Sequence, residues 1–303
     1  MDLITKFAAV EVKSDNRITT EDKKFCESHQ AAYEAAKGSL TELQFFWEDI
    51  LEKQNEILKD TDSKGTLYLT ADSDLRISSE KIQEQLKTLH NIFIEQLVGY
   101  FNRLYSITIS CPDIVNQLLP QNPERRSYDE KSLEQYKNEK AQYETDLLNL
   151  SLTFENILEQ IFAQMDGRGL LEQALYELKE KCHSAVWPRY CKEPKYELHK
   201  NILRFTGYAC SYNGRYRSSA WELNSGVKDV LRGIAHFETG NFSYIPHDIS
   251  KLLGYSYDYD MAEFSSCQKV KQLKMFKNGR VDIKFADASL ATKFVEEYLG
   301  TVY

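Results

Sequence analysis

Leu273-Lys274-Met275-Phe276-Lys277-Asn278-Gly279-Arg280-Val281-Asp282-Ile283-Lys284-Phe285 alternates apolar and polar residues up to an Asn-Gly pair and alternates again after it. Alternation with period two marks a strand with one buried face, and Asn-Gly between two such runs reads as a β-hairpin. Asn278 and Gly279 can both take the positive φ of a type I′ turn, where a β-branched residue would be strained. Working back along the chain, Tyr212-Asn213-Gly214 repeats the signal, so a second hairpin is expected between 202–210 and 215–219. The stretch 222–239 reads as a helix, and a closing helix is expected from about 287 to 299. From Trp187-Pro188 onward, tyrosines, turn residues and short apolar runs set the texture.

Upstream, the pattern is helical. In 20–61, Leu43, Phe46, Trp47, Ile50 and Leu51 recur at helical spacing, and Thr19 or Thr20 with Glu21 and Asp22 supplies a capping-type start. Asp60 to Gly65 breaks this helix, and Thr66 to Thr70 reads as a short strand. In 79–106, Ile82, Leu86, Leu89, Phe93, Leu97, Phe101 and Leu104 form one apolar stripe. Cys111-Pro112 is expected to end that region, and Pro120 to Pro123 to form a loop. Ser127 with Glu130 reads as the capping box of a third helix, whose stripe of Leu133, Tyr136, Tyr143, Leu147 and Leu150 is thinner. Two shorter helices are expected over 152–163 and 170–182. The expected fold is α+β: an extended N-terminal helical arm of antiparallel helices over 1–150, then a compact α+β domain with antiparallel hairpins over 151–303.

With 42% hydrophobic and 28% charged residues in 303, the composition is that of a globular protein. No apolar run approaches the ~20 residues of a membrane span. Met1 to Lys6 lacks the basic-then-apolar layout of an export signal, so a cytoplasmic setting with reduced thiols is expected. Charge is divided unevenly. Residues 1–198 carry 24 Lys+Arg against 35 Asp+Glu, a net of −11, whereas 199–303 carry 14 against 11, a net of +3. An acidic front part is a poor match to nucleic acid, whose phosphates need Lys and Arg.

No phosphate-binding Gly-rich loop, dinucleotide fingerprint, nucleophile elbow or paired-His zinc motif occurs, so no catalytic residue and no cofactor are expected. Ser78-Ser79-Glu80-Lys81 has a Ser-x-x-Lys spacing but sits where a helix needs its cap. Cys182, His183, Cys191, His199 and Cys210 are zinc-ligand types without a Cys-x2-Cys pair, and buried thiols explain them better than a metal. Tyr212, Arg215, Tyr216 and Arg217 interleave aromatics with cations, and Lys277 and Arg280, with Lys274 and Lys284, add a basic edge. These residues form the candidate binding set. The alternative is an amphipathic strand with packed tyrosines and solvated cations. Tyrosine is abundant at 19 residues, with a cluster from Tyr255 to Asp260 suited equally to an interface and to loop packing.

Phe276-Lys277-Asn278-Gly279, followed by a strand ending in Phe285, resembles the C-terminal signature of a domain of unknown function carried by bacterial plasmids and phages. Members often lie beside or are fused to DNA methyltransferases. Thr153-Phe154-Glu155-Asn156-Ile157 is similar to the family's Thr-x-Glu-Asn-Ile helix start. The likeness spans roughly residues 150–300. Arg280 stands where the family tends to have Asn, and Asp282 where it tends to have His. No methyltransferase motif accompanies it. The layout is also similar to that of phage anti-defence proteins directed against the Gabija complex. The resemblance implies a phage or plasmid setting. The acidic helical arm, suited to self-association or to reaching a partner, the tyrosine-rich end domain and the absence of catalytic motifs point to a non-catalytic protein that binds proteins. Such a protein would bind and inhibit a host defence complex in the host cytoplasm. The alternative is a nucleic-acid-binding accessory module of a methyltransferase.

Overall fold

Thr19 is the N-cap of the first helix, α1 (Thr20–Leu58). Its hydroxyl accepts from the Asp22 amide at 3.1 Å, and the Asp22 carboxylate accepts from the Thr19 amide at 2.8 Å. This capping box satisfies two amides that a helix start leaves without partners. The computed structural model describes residues 17–59, 79–124, 130–187, 193–213, 220–242 and 244–300. The expected strand at Thr66–Thr70, the cap at Ser127 and the Ser78 cap lie outside the described residues.

The chain divides into two compact units, Met1–Arg103 with Thr108–Gly169, and Leu170–Tyr303 with Leu104–Ile107. In the first unit, α1 packs against α2 (Ser79–Tyr105). Phe25 stacks on Tyr100 at 3.8 Å, Tyr33 on Phe93 at 4.4 Å, and Trp47 clusters with Ile82 and Leu86. Contacts that advance along α1 retreat along α2, so the pair is antiparallel. α3 (Cys111–Leu118) follows, with Pro112 in its first turn. Cys111-Pro112 therefore starts a helix instead of only ending one, because the missing proline amide is an orphan at that position in any case. α4 (Glu130–Asn149) runs back along α1, placing Tyr143 and Leu147 in the Trp47 cluster, and Lys37 Nζ donates to the Leu150 carbonyl at 2.6 Å.

α5 (Phe154–Gln164) begins with a second capping box, between Thr153 and Asn156. Its first amide, on Phe154, donates to Gln30 Oε1 of α1 at 2.8 Å, and the Gln164 side chain both donates to and accepts from the Ser110 backbone. These bonds tie residues 151–169 to the first unit, so the division falls after Gly169 and not near 150. The Thr153-x-Glu155-Asn156-Ile157 motif is thereby accounted for: two residues cap, and Ile157 is buried.

The second unit opens with α6 (Leu170–Val186), then β1 (Tyr196–His199), β2 (Ile202–Phe205), β3 (Cys210–Asn213) and β4 (Ala220–Leu223). α7 (Ser225–Thr239) starts on the Asn224 side chain and stops at Gly240, whose φ of +68° suits a left-handed cap. A short α8 (His247–Lys251) leads to β5 (Met261–Glu263), β6 (Val270–Met275), β7 (Val281–Phe285) and α9 (Ala288–Phe294), which runs on into a π-helical turn, Val295–Leu299. The fold is α+β. Five strands in the order β1-β2-β7-β6-β5 pair antiparallel throughout, and β3-β4 form a separate two-stranded sheet.

One face of the five-stranded sheet carries Leu203, Phe205, Leu273, Met275, Val281, Ile283 and Phe285, all buried against residues of α6, α7 and α9. At roughly 1.5–3 kcal/mol for each large apolar side chain buried, this face dominates the unit's stability. α6 and α7 approach closely where Gly233 meets Cys182.

Two turn expectations need correction. The hairpin over 273–285 forms, but Gly279 has φ +81° and Asn278 has no positive φ. Gly279 N–H donates to the Phe276 carbonyl, and Phe276 N–H donates to the Arg280 carbonyl, both at 2.9 Å. That is a three-residue loop with a glycine bulge, not a two-residue type I′ turn. The second hairpin pairs 210–213 with 220–223, and 202–205 joins β7 instead. The expected return strand at 215–219 lies outside the described residues.

Candidate functional site

The polar residues of the same strands emerge on the opposite side of the sheet, where they are half-buried or exposed. Register aligns them in two rows across the strands. The first is Glu197, Arg204, Asp282, Lys274, Met261, and the second is His199, Ile202, Lys284, Gln272, Glu263. The first row alternates in sign over four strands, so each charge faces its opposite, an arrangement that stabilises cross-strand pairs.

Asp282 is the centre of this face. Arg204 donates to both of its oxygens, Nε to Oδ1 at 3.1 Å and Nη2 to Oδ2 at 3.3 Å. Arg280 Nε lies 3.3 Å from Oδ1, off the hydrogen-bonding direction. One carboxylate thus serves two guanidiniums, and its bond pushes Arg204 up from its ordinary value. At the row's end, His199 Nε2 donates to Glu197 at 2.7 Å. That bond holds the Glu197 carboxyl below its usual range, with help from the Arg204 charge. The second row runs into a recess of about 360 Å³ lined by Glu263, Ser265, Lys271, Gln272 and Lys284.

The hairpin tip adds aromatics. Arg280 lies over the Phe276 ring at 3.7 Å, and Lys274 Nζ over the same ring at 5.3 Å. Lys277 Nζ sits 4.7 Å from the Tyr212 ring, which in turn leans on Trp221 at 4.8 Å. Of the candidate binding set, Tyr212, Lys277 and Arg280 come together at one end of the sheet. Arg215, Tyr216 and Arg217 lie outside the described residues. Arg204 and Asp282 were not in that set. In the sequence Asp282 stands out only as a departure from the family pattern, and Arg204 joins it across 78 residues of chain.

The tyrosine cluster splits between surface and core. Tyr257 is buried, its hydroxyl donating to the Leu252 and Gly254 carbonyls, whereas Tyr255 is 90% exposed. The thiols and histidines scatter. Cys182 donates to the Asp229 carbonyl, Cys210 to Phe276 and Arg280 carbonyls, and His183 to the Leu299 carbonyl. Burial pushes Cys182 up to about 12. Cys191 lies outside the described residues. Among the described residues, no three of His, Cys, Asp or Glu are placed to hold a metal. No described helix is long and apolar enough to cross a membrane.

In the first unit, a cavity of about 430 Å³ lies between Arg17, Ile18 and the Phe154, Leu158 and Phe162 face of α5. Its lining is mostly apolar, and of the residues singled out in the sequence only the Thr153–Ile157 motif reaches it, through Phe154 and Glu155. No family model, curated protein or solved structure matches the chain.

Proposed function

We propose that the chain is a non-catalytic protein-binding protein that engages a partner through the open face of its five-stranded sheet. The observation that carries this is Asp282 lying between Arg204 and Arg280. Nucleic acid is held by cations that neutralise its phosphates. Here two arginines of the face already share a carboxylate, and the row alternates in sign. A surface of mixed charge with stacked Arg280–Phe276 and Lys277–Tyr212 pairs suits a folded protein surface of complementary mixed charge. This favours the protein-binding reading over the nucleic-acid accessory module. In keeping with the plasmid and phage resemblance, the partner class is a host defence complex, and inhibition follows from occupying its surface. Phe46 and Ile57, exposed on α1, support self-association of the first unit, which would add avidity.

Tagged chain incubated in nuclease-treated bacterial lysate and washed at moderate salt tests the proposal. The expected result is a stoichiometric protein complex lost in the Lys274→Glu, Lys284→Glu variant. Retention of nucleic acid alone, abolished by nuclease, would overturn it in favour of the accessory module.

A further inference from the structure

β1 is one edge of the sheet, and its backbone groups point alternately to two sides. Thr206 N–H donates to the Lys195 carbonyl at 3.2 Å, in step with the Glu197–Arg204 and His199–Ile202 pairs. The backbones of 197 and 199 therefore face β2. Those of Tyr196 and Leu198 face outward, and among the described residues no backbone group bonds them on that side. A row of unpaired N–H and C=O groups is a template for another strand.

The chemistry of the occupant follows from the charge row that ends at this edge. Glu197, Arg204, Asp282 and Lys274 alternate in sign from strand to strand. Facing opposite charges stabilise a sheet and facing like charges destabilise it. A residue opposite Glu197 on an added strand therefore continues the row only if it is a cation. A second copy pairing about Glu197 would set two glutamates face to face, which the same rule disfavours. On the core side, Tyr196 and Leu198 are half-buried against the hydrophobic core and offer apolar neighbours to the added strand.

We propose that the β1 edge accepts an extended segment of the partner protein, with Lys or Arg opposite Glu197 and apolar side chains opposite Tyr196 and Leu198. The inference rests on the protein-binding reading and adds how the partner's backbone is held. Main-chain bonds to Tyr196 and Leu198 supply attachment, and Glu197 supplies selectivity.

Two terminally blocked peptides, Gly-Thr-Val-Lys-Val-Thr-Gly and its twin with Glu for Lys, are titrated into the isotope-labelled full chain, and backbone amide shifts are followed by NMR. The Lys peptide is expected to move the Tyr196 and Leu198 amides and to bind on the order of fivefold tighter than the Glu peptide. The order should reverse in Glu197→Lys. Equal response to both peptides, or none at these amides, would overturn the proposal. So would shifts that depend on protein concentration without peptide, which would mark self-pairing. Absent shifts alongside a lysate complex that still needs Lys274 and Lys284 would sink the edge site alone. Peptide capture at β1 with no lysate partner would sink the open-face reading alone.

Discussion

A Cβ on Gly279 would lie 2.9 Å from the backbone nitrogen of Tyr208, because the Ala209 amide holds the hairpin tip against that loop through the Gly279 carbonyl at 2.8 Å. Gly279 is thus constrained twice, by its φ of +81° and by this approach. Gly279→Ala should cost about 1–3 kcal/mol. Gly38, within α1, has nothing within 4 Å of a built Cβ. Gly38→Ala should stabilise by about 0.5–1 kcal/mol through lost unfolded-state freedom. Urea unfolding of both variants should move the midpoint in opposite directions.

His90 is fully buried, and its ring bridges three helices. Nε2 faces the Leu147 carbonyl at 3.1 Å and must donate, so Nδ1 accepts from the Tyr33 hydroxyl at 2.9 Å. Burial, with a smaller push from Lys37, holds this histidine below its ordinary 6.5. The unfolded chain takes up a proton near 6.5 while the folded chain refuses it. Stability from neutral His90 is therefore complete above that pH and is lost as pH falls toward the depressed folded value. His236 is shifted the same way. Unfolding at pH 7.5 and 5.5 should show a smaller pH dependence in His90→Leu than in the wild type. An equal dependence would contradict the assignment.

Tyr33→Phe leaves the buried Nδ1 of His90 without its donor. The expected loss is about 1–3 kcal/mol, the cost of an unsatisfied buried acceptor. Denaturant unfolding measures it directly.

Asp282→Asn removes the shared charge from between Arg204 and Arg280. The pair is partly exposed, so the stability change should stay within about 1 kcal/mol. The two guanidiniums would then be available to phosphate. Double-stranded DNA binding, followed by fluorescence anisotropy, should rise in the variant and fall steeply with salt. Unchanged DNA binding would show that Asp282 is not what limits it.

A Cβ on Gly233 would fall 2.5 Å from Cys182 Sγ. Gly233→Ala should destabilise by roughly 1–3 kcal/mol through overpacking. Cys182→Ala in that background should recover part of the loss, a coupling that unfolding of the single and double variants would expose.

Much of the local structure was legible. The Thr19–Asp22 capping start, the helix following Thr153 and the turn at Gly279 rest on bonds spanning three or four residues and on one residue's φ, so the side chains that decide them are neighbours in the chain. The alternation in 273–285 likewise reported a strand pair with one buried face. The candidate site was legible only in part. Lys277, Arg280 and Tyr212 announce a basic, aromatic hairpin end, but Asp282 stands out in the sequence only as a departure from the family pattern, with nothing there to pair it with a cation. Its role depends on β2 lying beside β7, and Arg204 in the chain sits among residues with no visible relation to it.

Local sequence was enough for the long helices, the capping start at Thr19, the C-terminal hairpin and the α+β class, because hydrophobic period and turn chemistry act over a few residues. Tertiary structure alone decided that β2 pairs with β7, that Cys111-Pro112 opens a helix, and that 151–169 joins the first unit. It also set the alternating charge row and the β1 edge, where among the described residues no backbone group bonds Tyr196 or Leu198 on the outer side. Those outcomes depend on which distant apolar faces bury one another. Strand register, once burial sets it, aligns polar residues that share no local pattern.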